Sequence, residues 1–144
     1  MNRLFALIFA LAASLLLMFP AQAQSDTGKT ARTDLQLELN KLATQGSNCR
    51  VTFVANNRTG KAIGGLGYEV VLFDTDGGVS RMTKFDFGSL AVAKTIVRRF
   101  DLAGTPCEQI GRILVNGASR CEAECVNCDA ILATANRTNV AFGQ

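Results

Sequence analysis

The sequence predicts an all-β protein, a sandwich of about seven antiparallel strands over residues 34–144 that is braced by disulfides. Three observations lead to this prediction. Apolar and polar residues alternate over short segments with the two-residue period of a half-buried strand. Turn-forming residues separate those segments at regular intervals, and no segment predicts a long helix. The chain also has five cysteines, all after an N-terminal export signal, and the cysteines of exported proteins normally pair.

The export signal covers residues 1–23, which have the layout of a cleavable signal peptide. Arg3 supplies the positive charge, and an apolar run over residues 4–19 follows it. This run is shorter than the roughly 20 residues that a membrane-spanning helix needs. Ala21 and Ala23 place small residues at the two positions that signal peptidase reads, so we predict Sec-type export and cleavage after Ala23.

Cleavage leaves residues 24–144, the size of one ordinary domain. Residues 24–33 are polar and without period, which predicts a flexible lead-in to the domain at 34–144. Loss of Arg3 lowers the formal net charge from +3 to +2, too little to indicate nucleic-acid binding. No second long apolar run follows, so no stable membrane insertion is expected after cleavage.

The first predicted strand begins at Asp34, where three leucines alternate with polar residues from Leu35 to Leu39. A helix competes here, because Thr33 and Gln36 have the spacing of a capping box. We favour the strand, because Leu37 would lie on the solvent face of that helix.

The next segments alternate more regularly. Residues 49–56 predict a strand, and residues 57–60 supply a turn. Residues 68–73 form a near-continuous apolar run, which is suited to a central strand covered on both faces. The Asp- and Gly-rich segment 74–78 predicts a hairpin turn that leads into a returning strand over residues 79–87.

The remaining predicted strands follow a short link over residues 88–94. They are residues 95–101, residues 110–115, and one last bent strand from residues 131–135 and 140–142. Basic residues lie on two strands that we expect to pair, namely Arg81, Lys84, Arg98 and Arg99. They form either a basic face for an anionic partner or a solvated sheet face, and we favour the solvated face.

The strand order also predicts how the cysteines pair. With alternating strand directions, Cys49 and Cys107 lie at the same end of the sandwich, and Cys121 lies near Cys125 and Cys128 at the opposite end. This order favours disulfides Cys49–Cys107 and Cys121–Cys128, but the sequence alone does not determine the connectivity. Five is an odd number, so Cys125 is left as a possible free or redox thiol.

Other chemistry is possible for the last three cysteines. Their spacing, C-x3-C-x2-C, matches an iron–sulfur ligand set, but it occurs at the end of a short exported domain where thiols oxidise. A zinc site lacks a fourth ligand, because the chain has no His and Asp129 is a poor substitute. We expect no metal and no cofactor. Cys125 and Cys128 have the C-x-x-C spacing of a redox pair, although no thioredoxin-like pattern surrounds them.

The absence of His also bears on catalysis. It removes the commonest general base near neutral pH and the usual serine or cysteine triads, so no catalytic residue is predicted. Asp74 and Asp76 resemble the opening of a calcium loop, but Phe85 stands where the bidentate Glu is needed. We interpret both acids as turn formers.

Three segments together resemble the FxLYD-type immunoglobulin-like domains, which are extracytoplasmic sandwiches. They are residues 68–74, the Asp-Gly pair at 76–77, and residues 87–90 ahead of Thr95. The chain is also similar to a group of alphaproteobacterial periplasmic proteins with no assigned activity, through Cys49 and the stretch over residues 100–114. This resemblance implies an immunoglobulin-like fold and a periplasmic location. The sequons at Asn57 and Asn136 would then go unmodified, as is normal in bacteria.

These observations lead to two hypotheses about function. The first is a non-enzymatic β-sandwich module that binds a periplasmic protein or an envelope component, through a strand edge or end loops. The alternative is a small thiol–disulfide redox protein that uses Cys125 and Cys128. The sequence identifies neither the partner nor the oligomeric state.

Overall fold

A computed structural model describes residues 34–124 and 126–144 of the chain. The predicted signal peptide, the lead-in over residues 24–33 and Cys125 lie outside the described residues. Within them the chain forms eight strands and a single 3₁₀ turn at Cys107–Gln109. The strands are β1 Leu35–Gln45, β2 Asn48–Asn57, β3 Ile63–Phe73, β4 Val79–Leu90, β5 Thr95–Leu102, β6 Arg112–Glu122, β7 Leu132–Asn136 and β8 Ala141–Gly143.

The strands form two four-stranded sheets that pack as a sandwich, which confirms the predicted fold class. Sheet one has the order β5-β2-β1-β7, and sheet two has the order β4-β3-β6-β8. The prediction of one last bent strand is wrong, because β7 and β8 belong to different sheets. Both pair in parallel, β7 with β1 and β8 with β6, so the sheets are mixed instead of fully antiparallel.

The first segment is a strand, as predicted, and the competing helix does not form. Leu35, Leu37 and Leu39 all face the core and are at most 1% exposed. A helix would have brought only part of this set to one face, whereas the two-residue period buries all three. β1 pairs with β2 through a two-residue connection in which Gly46 has a φ of 61°.

The hairpin between β3 and β4 follows from the turn residues at its tip. The Asp74 carboxylate accepts hydrogen bonds from the amides of Asp76, at 3.0 Å, and Gly78, at 2.7 Å. Gly77 has a φ of 87°, a conformation that side chains disfavour. The turn reading of Asp74 is therefore confirmed, because its carboxylate is bonded to the main chain.

The core between the sheets is aromatic at its centre. The Phe53 ring lies within 6.1 Å, centroid to centroid, of the rings of Phe85, Phe87, Phe100 and Phe142. Phe85 and Phe100 stack at 4.1 Å across the two sheets. Aromatic pairs of this kind add roughly 0.5–1.5 kcal/mol each beyond their burial.

β3 is central in sheet two, as its apolar run predicts, but only one of its faces meets another sheet. Val71 lies outside the core cluster and is 6% exposed. Its cross-strand neighbours are Met82, which is 57% exposed, and Leu114. Val71 is therefore buried although it lies on the face of β3 that is turned away from sheet one.

The predicted pairing of the two basic strands is also wrong. β4 pairs with β3 and β5 pairs with β2, so the two strands are edges of different sheets. Arg98 crosses from β5 and donates to the Phe87 carbonyl of β4 at 3.0 Å. Arg81 crosses in the other direction and donates to the Ala103 carbonyl at 2.9 Å. These two guanidiniums bridge the sheet edges, so they do not form a common basic face with Lys84.

Candidate binding groove beside strand β1

The predicted site residues include four cysteines, and the structure joins them as Cys49–Cys107 and Cys121–Cys128. Cys49 is the second residue of β2 and is fully buried, and Cys107 lies in the 3₁₀ turn after β5. These pairs are the ones that the strand order indicates. Disulfides of this kind are typical of proteins in an oxidising compartment outside the cytoplasm.

The second disulfide holds the turn before β7. Cys128 is 1% exposed, and its carbonyl accepts a hydrogen bond from the Tyr68 hydroxyl at 2.9 Å. Burial, with a smaller effect from the Asp129 charge, raises the pKa of Tyr68 well above its ordinary value. The redox hypothesis requires a Cys125–Cys128 pair, but the Cys128 sulfur is bonded to Cys121, and Cys125 lies outside the described residues.

The Asp129 carboxylate, considered above as a zinc ligand, accepts a hydrogen bond from the Ala118 amide at 2.7 Å. Among the described residues, no group of three or more His, Cys, Asp or Glu side chains is placed to hold a metal ion. The part of the chain that the structure describes also contains no helix with the length and hydropathy that crossing a bilayer requires. The described residues of this turn are held by the Cys121–Cys128 disulfide and by the hydrogen bonds of Tyr68 and Asp129.

A different region offers an opening in sheet one, along one side of β1. β7 pairs only with the first half of β1, Leu35–Leu39. The last backbone contact is the Arg137 amide, which donates to the Leu39 carbonyl at 2.9 Å. The chain then crosses to sheet two to form β8. Within residues 34–124 and 126–144, the second half of β1, from Lys41 on, pairs with β2 alone.

A β-bulge at Asn40 decides which backbone groups face this opening. Before the bulge, the odd residues of β1 direct their backbone groups toward β7, as the bonds of Leu35 and Leu39 show. The register then shifts between Leu39 and Lys41. Since backbone direction alternates along an antiparallel pair, the amides and carbonyls of Leu42 and Thr44 point to the open side.

The open edge forms one side of a groove of about 530 Å³. Its apolar lining residues also pack against the hydrophobic core or belong to the first disulfide, and they are Leu42, Cys107 and Val140. The other lining residues carry polar or charged groups, and they are Asn40, Lys41, Thr44, Glu108, Arg137, Thr138 and Asn139. An apolar base with convergent polar groups around it is the usual composition of a binding site in proteins.

Glu38 lies beside the groove and contacts two of its lining residues, Asn40 and Arg137. Its carboxylate accepts hydrogen bonds from the Asn40 side chain and the Arg137 guanidinium, both at 2.8 Å. The bond from Asn40, helped by Arg137 and opposed by partial burial, holds the pKa of Glu38 below its ordinary value. Arg137 is fixed by this pairing although its side chain is 69% exposed. Lys41, by contrast, is exposed and makes no ion pair among the described residues.

The wall opposite β1 is a turn whose sequence occurs twice. In the triplet that begins at Asn136, the Asn carbonyl oxygen accepts from the amide and hydroxyl of Thr138, at 2.9 and 3.0 Å. Its amide donates to the Val140 carbonyl at 2.7 Å. Asn57 and Thr59 make the same bonds, with Lys61 as the last partner. The two Asn-Arg-Thr triplets therefore form one type of turn.

Sequence reasoning did not identify the groove. A signal was present, because the alternation of Leu35, Leu37 and Leu39 breaks and the next leucine is Leu42. Such a break is typical of a bulge, where an extra residue shifts the inward-facing set by one position. The repeated Asn-Arg-Thr triplet is a second signal, because both copies form the same turn.

The fold and the groove define a disulfide-braced β-sandwich with an interrupted edge strand. No protein-family model matches the chain, and a search of curated proteins gives no significant match. A solved structure, described as the structural characterisation of IrmA from Escherichia coli, is similar with a TM-score of 0.55 and 12% identity. The alignment covers 70% of this chain and 90% of that one. At this identity the likeness shows the fold alone.

Proposed function

We propose that the protein is an exported, non-enzymatic binding module of the bacterial periplasm, and that it binds a periplasmic protein or an envelope component. The observation that carries the proposal is the groove beside β1, where an unpaired strand edge, an apolar base and fixed charges meet. Exposed strand edges are a recurrent way for sandwich domains to recruit partners.

The periplasmic location rests on two features. Residues 1–23 have the layout of a signal peptide that is cleaved after Ala23. The two disulfides are suited to an oxidising compartment. Membership of an FxLYD-like, immunoglobulin-related group is part of the same proposal, and it rests on the segments quoted above.

Binding is favoured over catalysis by the state of the charged groups in the groove. Hydrogen bonds from Asn40 and Arg137 lower the pKa of the Glu38 carboxylate, and Arg137 is paired with it. A general acid or base near neutral pH needs a pKa shifted toward 7, whereas the pKa of Glu38 is shifted the other way. These groups are therefore suited to shape the groove and to contact a ligand.

Site-specific photo-crosslinking tests the proposal. A benzophenone amino acid is introduced at Asn139, on the groove, or at Val97, which is 51% exposed on the opposite edge strand of sheet one. Cells exporting each variant are irradiated, and adducts are identified by mass spectrometry.

We expect one defined adduct from position 139 and none from position 97. Equal adducts at both positions would indicate non-specific contact and would contradict the proposal. The absence of any adduct at position 139 in exported, oxidised protein would contradict it as well.

A further inference from the structure

We propose that the groove binds a second copy of this chain, and that the two copies join through the open halves of their β1 strands, Lys41–Gln45, around a two-fold axis at Ala43. This inference rests on the proposed binding function and names the partner of the same site.

The open half of β1 directs the backbone groups of two residues away from β2. Gln45 and Asn48 close a two-residue turn, so they form a hydrogen-bonded pair. Because backbone direction alternates, Leu42 and Thr44 point to the open side, and their amides have no acceptor among the described residues. The Thr44 carbonyl accepts a bond from the Gln45 side chain at 2.9 Å, and that contact is exposed. These two residues therefore offer a strand edge that is symmetric about Ala43.

An edge of this form can pair with its own copy in antiparallel orientation. With Ala43 of each copy at the axis, Leu42 of one copy lies opposite Thr44 of the other, and each such pair exchanges two backbone hydrogen bonds. The two copies of Ala43 form the close pair at the centre, with Cα atoms about 4.5 Å apart, where a small side chain leaves room for the contact. A two-fold contact closes after two copies, so it leaves neither edge open to further pairing.

The turns at the two ends of this edge match the length of the pairing. In the row beside β1, the turn at Arg137 blocks a strand that continues past Lys41, because its amide already bonds to the Leu39 carbonyl. In the proposed register, Gln45 of the second copy lies opposite Lys41, and Gly46, which follows it, turns away toward β2 of that copy. The second copy therefore leaves the row where the turn at Arg137 closes it. A partner strand without such a turn would collide with Arg137.

The charged groups of the groove suit this register. Lys41 and Glu108 both line the groove, and neither forms an ion pair among the described residues. Glu108 belongs to the 3₁₀ turn that the Cys49–Cys107 disulfide holds next to Thr44. The register brings Lys41 of each copy to that end of the other copy, so a cation approaches an anion twice. The two copies of Lys41 remain about 14 Å apart along the strands.

The inner side of the pairing is apolar. Leu42 packs partly buried against the core and lines the groove with Cys107 and Val140. Leu42 of the second copy lies opposite Thr44 on the same face, so its side chain comes over the lining at Cys107. The pairing therefore removes apolar surface of both copies from water.

The first test measures association of the mature, oxidised protein. A contact made of one short strand pair and a groove is smaller than a standard interface, so we expect weak dimerisation. In sedimentation equilibrium the mass should rise toward twice that of the monomer between about 10 µM and 1 mM. Over this range hydrogen exchange at Leu42 and Thr44 should slow by about fivefold, because both amides gain an acceptor. The Ala43 amide, which points to β2, should not change.

Two matched pairs of variants test the edge itself. Thr44→Pro removes an amide that points away from β2, so the β1–β2 ladder keeps its bonds, whereas Thr44→Ala retains that amide. Since each dimer loses two hydrogen bonds, Thr44→Pro should weaken dimerisation by about tenfold or more, and Thr44→Ala by less than about threefold. Ala43→Glu places two carboxylates at the close pair on the axis. It should weaken dimerisation about fivefold more than Ala43→Gln at low salt, with a smaller difference at high salt.

A cysteine at the axis tests the register. The Cα distance expected for the Ala43 pair lies within the range of a disulfide. In a Cys125→Ser background, Ala43→Cys should form a reducible dimer with a mild oxidant such as copper phenanthroline. Val97→Cys, at a 51% exposed position on the opposite edge strand of sheet one, should not.

Four results would overturn the inference. Two are a monomer at every concentration and a dimer that Thr44→Pro and Ala43→Glu leave unchanged. The third is an equal yield of cross-linked dimer from positions 43 and 97. The fourth is protection of the Leu42 and Thr44 amides that does not depend on concentration, which would assign the edge to the chain's own residues 24–33.

The crosslink at Asn139 separates this inference from the proposed function. An adduct with the mass of two copies supports both. If the protein stays monomeric and the adduct contains another protein, the binding function stands and the dimer inference fails. If the protein is monomeric and no adduct forms, both fail.

Discussion

The two Asn-Arg-Thr turns allow a controlled test of how burial sets the energy of a hydrogen-bond network. Asn57 is fully buried, whereas Asn136 makes the same turn at the exposed wall of the groove. The change Asn→Ala is made at each position separately. Because the local sequence and the turn bonds match, the difference between the two variants reports the burial of Asn57 together with its contacts to the Leu90 and Ala91 carbonyls.

The loss of stability expected for Asn57→Ala follows from the carbonyl groups that would lose their hydrogen-bond donor. Its amide nitrogen lies within hydrogen-bond distance of three carbonyls, those of Lys61 at 2.7 Å, Leu90 at 3.1 Å and Ala91 at 3.1 Å, so its two hydrogens are shared among them. The bond to Leu90 is buried, and an unsatisfied buried group costs about 1–3 kcal/mol. The other bonds are partly buried and add about 0.5–1.5 kcal/mol each when water replaces them incompletely. We therefore expect Asn57→Ala to lower the free energy of unfolding by about 3 kcal/mol.

At Asn136 the corresponding bonds are exposed, and water can replace them. We expect Asn136→Ala to cost about 1 kcal/mol or less. Urea unfolding of the oxidised protein, followed by circular dichroism, measures both variants. With a slope of about 1.5 kcal/mol per molar, the midpoint should fall by about 2 M for Asn57→Ala and by well under 1 M for Asn136→Ala. Equal losses at the two positions would refute the reasoning, because burial would then not decide the energy.

Three further predictions concern other contacts of the sandwich. Replacing Cys49 and Cys107 together by Ser should lower the free energy of unfolding by about 4 kcal/mol, which is the chain-entropy value for a sequence separation of 58 residues. A loss of less than about 1 kcal/mol in urea titration would contradict a stabilising role for this disulfide. The pKa of Glu38 is lowered, so its stabilising contribution is fully present above its ordinary value of 4.5 and is lost as the pH falls through the folded value. In the Arg137→Gln variant, carboxyl NMR titration should give a higher pKa for Glu38 than in the wild type. An unchanged pKa would show that the ion pair with Arg137 does not lower it. Tyr68→Phe should cost about 1–2 kcal/mol, because its hydroxyl bond to a buried carbonyl is lost, and thermal unfolding measures it against wild type.

Most strands were predictable because their signals are local. The alternation at Leu35–Leu39 and the Asp-Gly turn at 74–78 depend on residues that are neighbours in sequence. The ends at which Cys49 and Cys107 lie could also be inferred, since alternating strand direction needs no knowledge of which strands pair. The basic strands were placed wrongly for the opposite reason. Two strands joined by a short link can enter different sheets, and nothing local in the link distinguishes the two outcomes.

The sequence by itself determined the all-β class, the turns and the cysteines that lie at each end of the sandwich. Only the tertiary structure showed that β7 pairs in parallel with half of β1 and then leaves for the other sheet. Parallel pairing joins residues about a hundred positions apart, and it depends on the packing of the whole core. The groove beside β1 exists because that pairing stops at Arg137. The candidate site is thus a gap between distant segments. Local patterns mark the bulge at Asn40 and the turn at Asn136, but they do not show that these two segments meet.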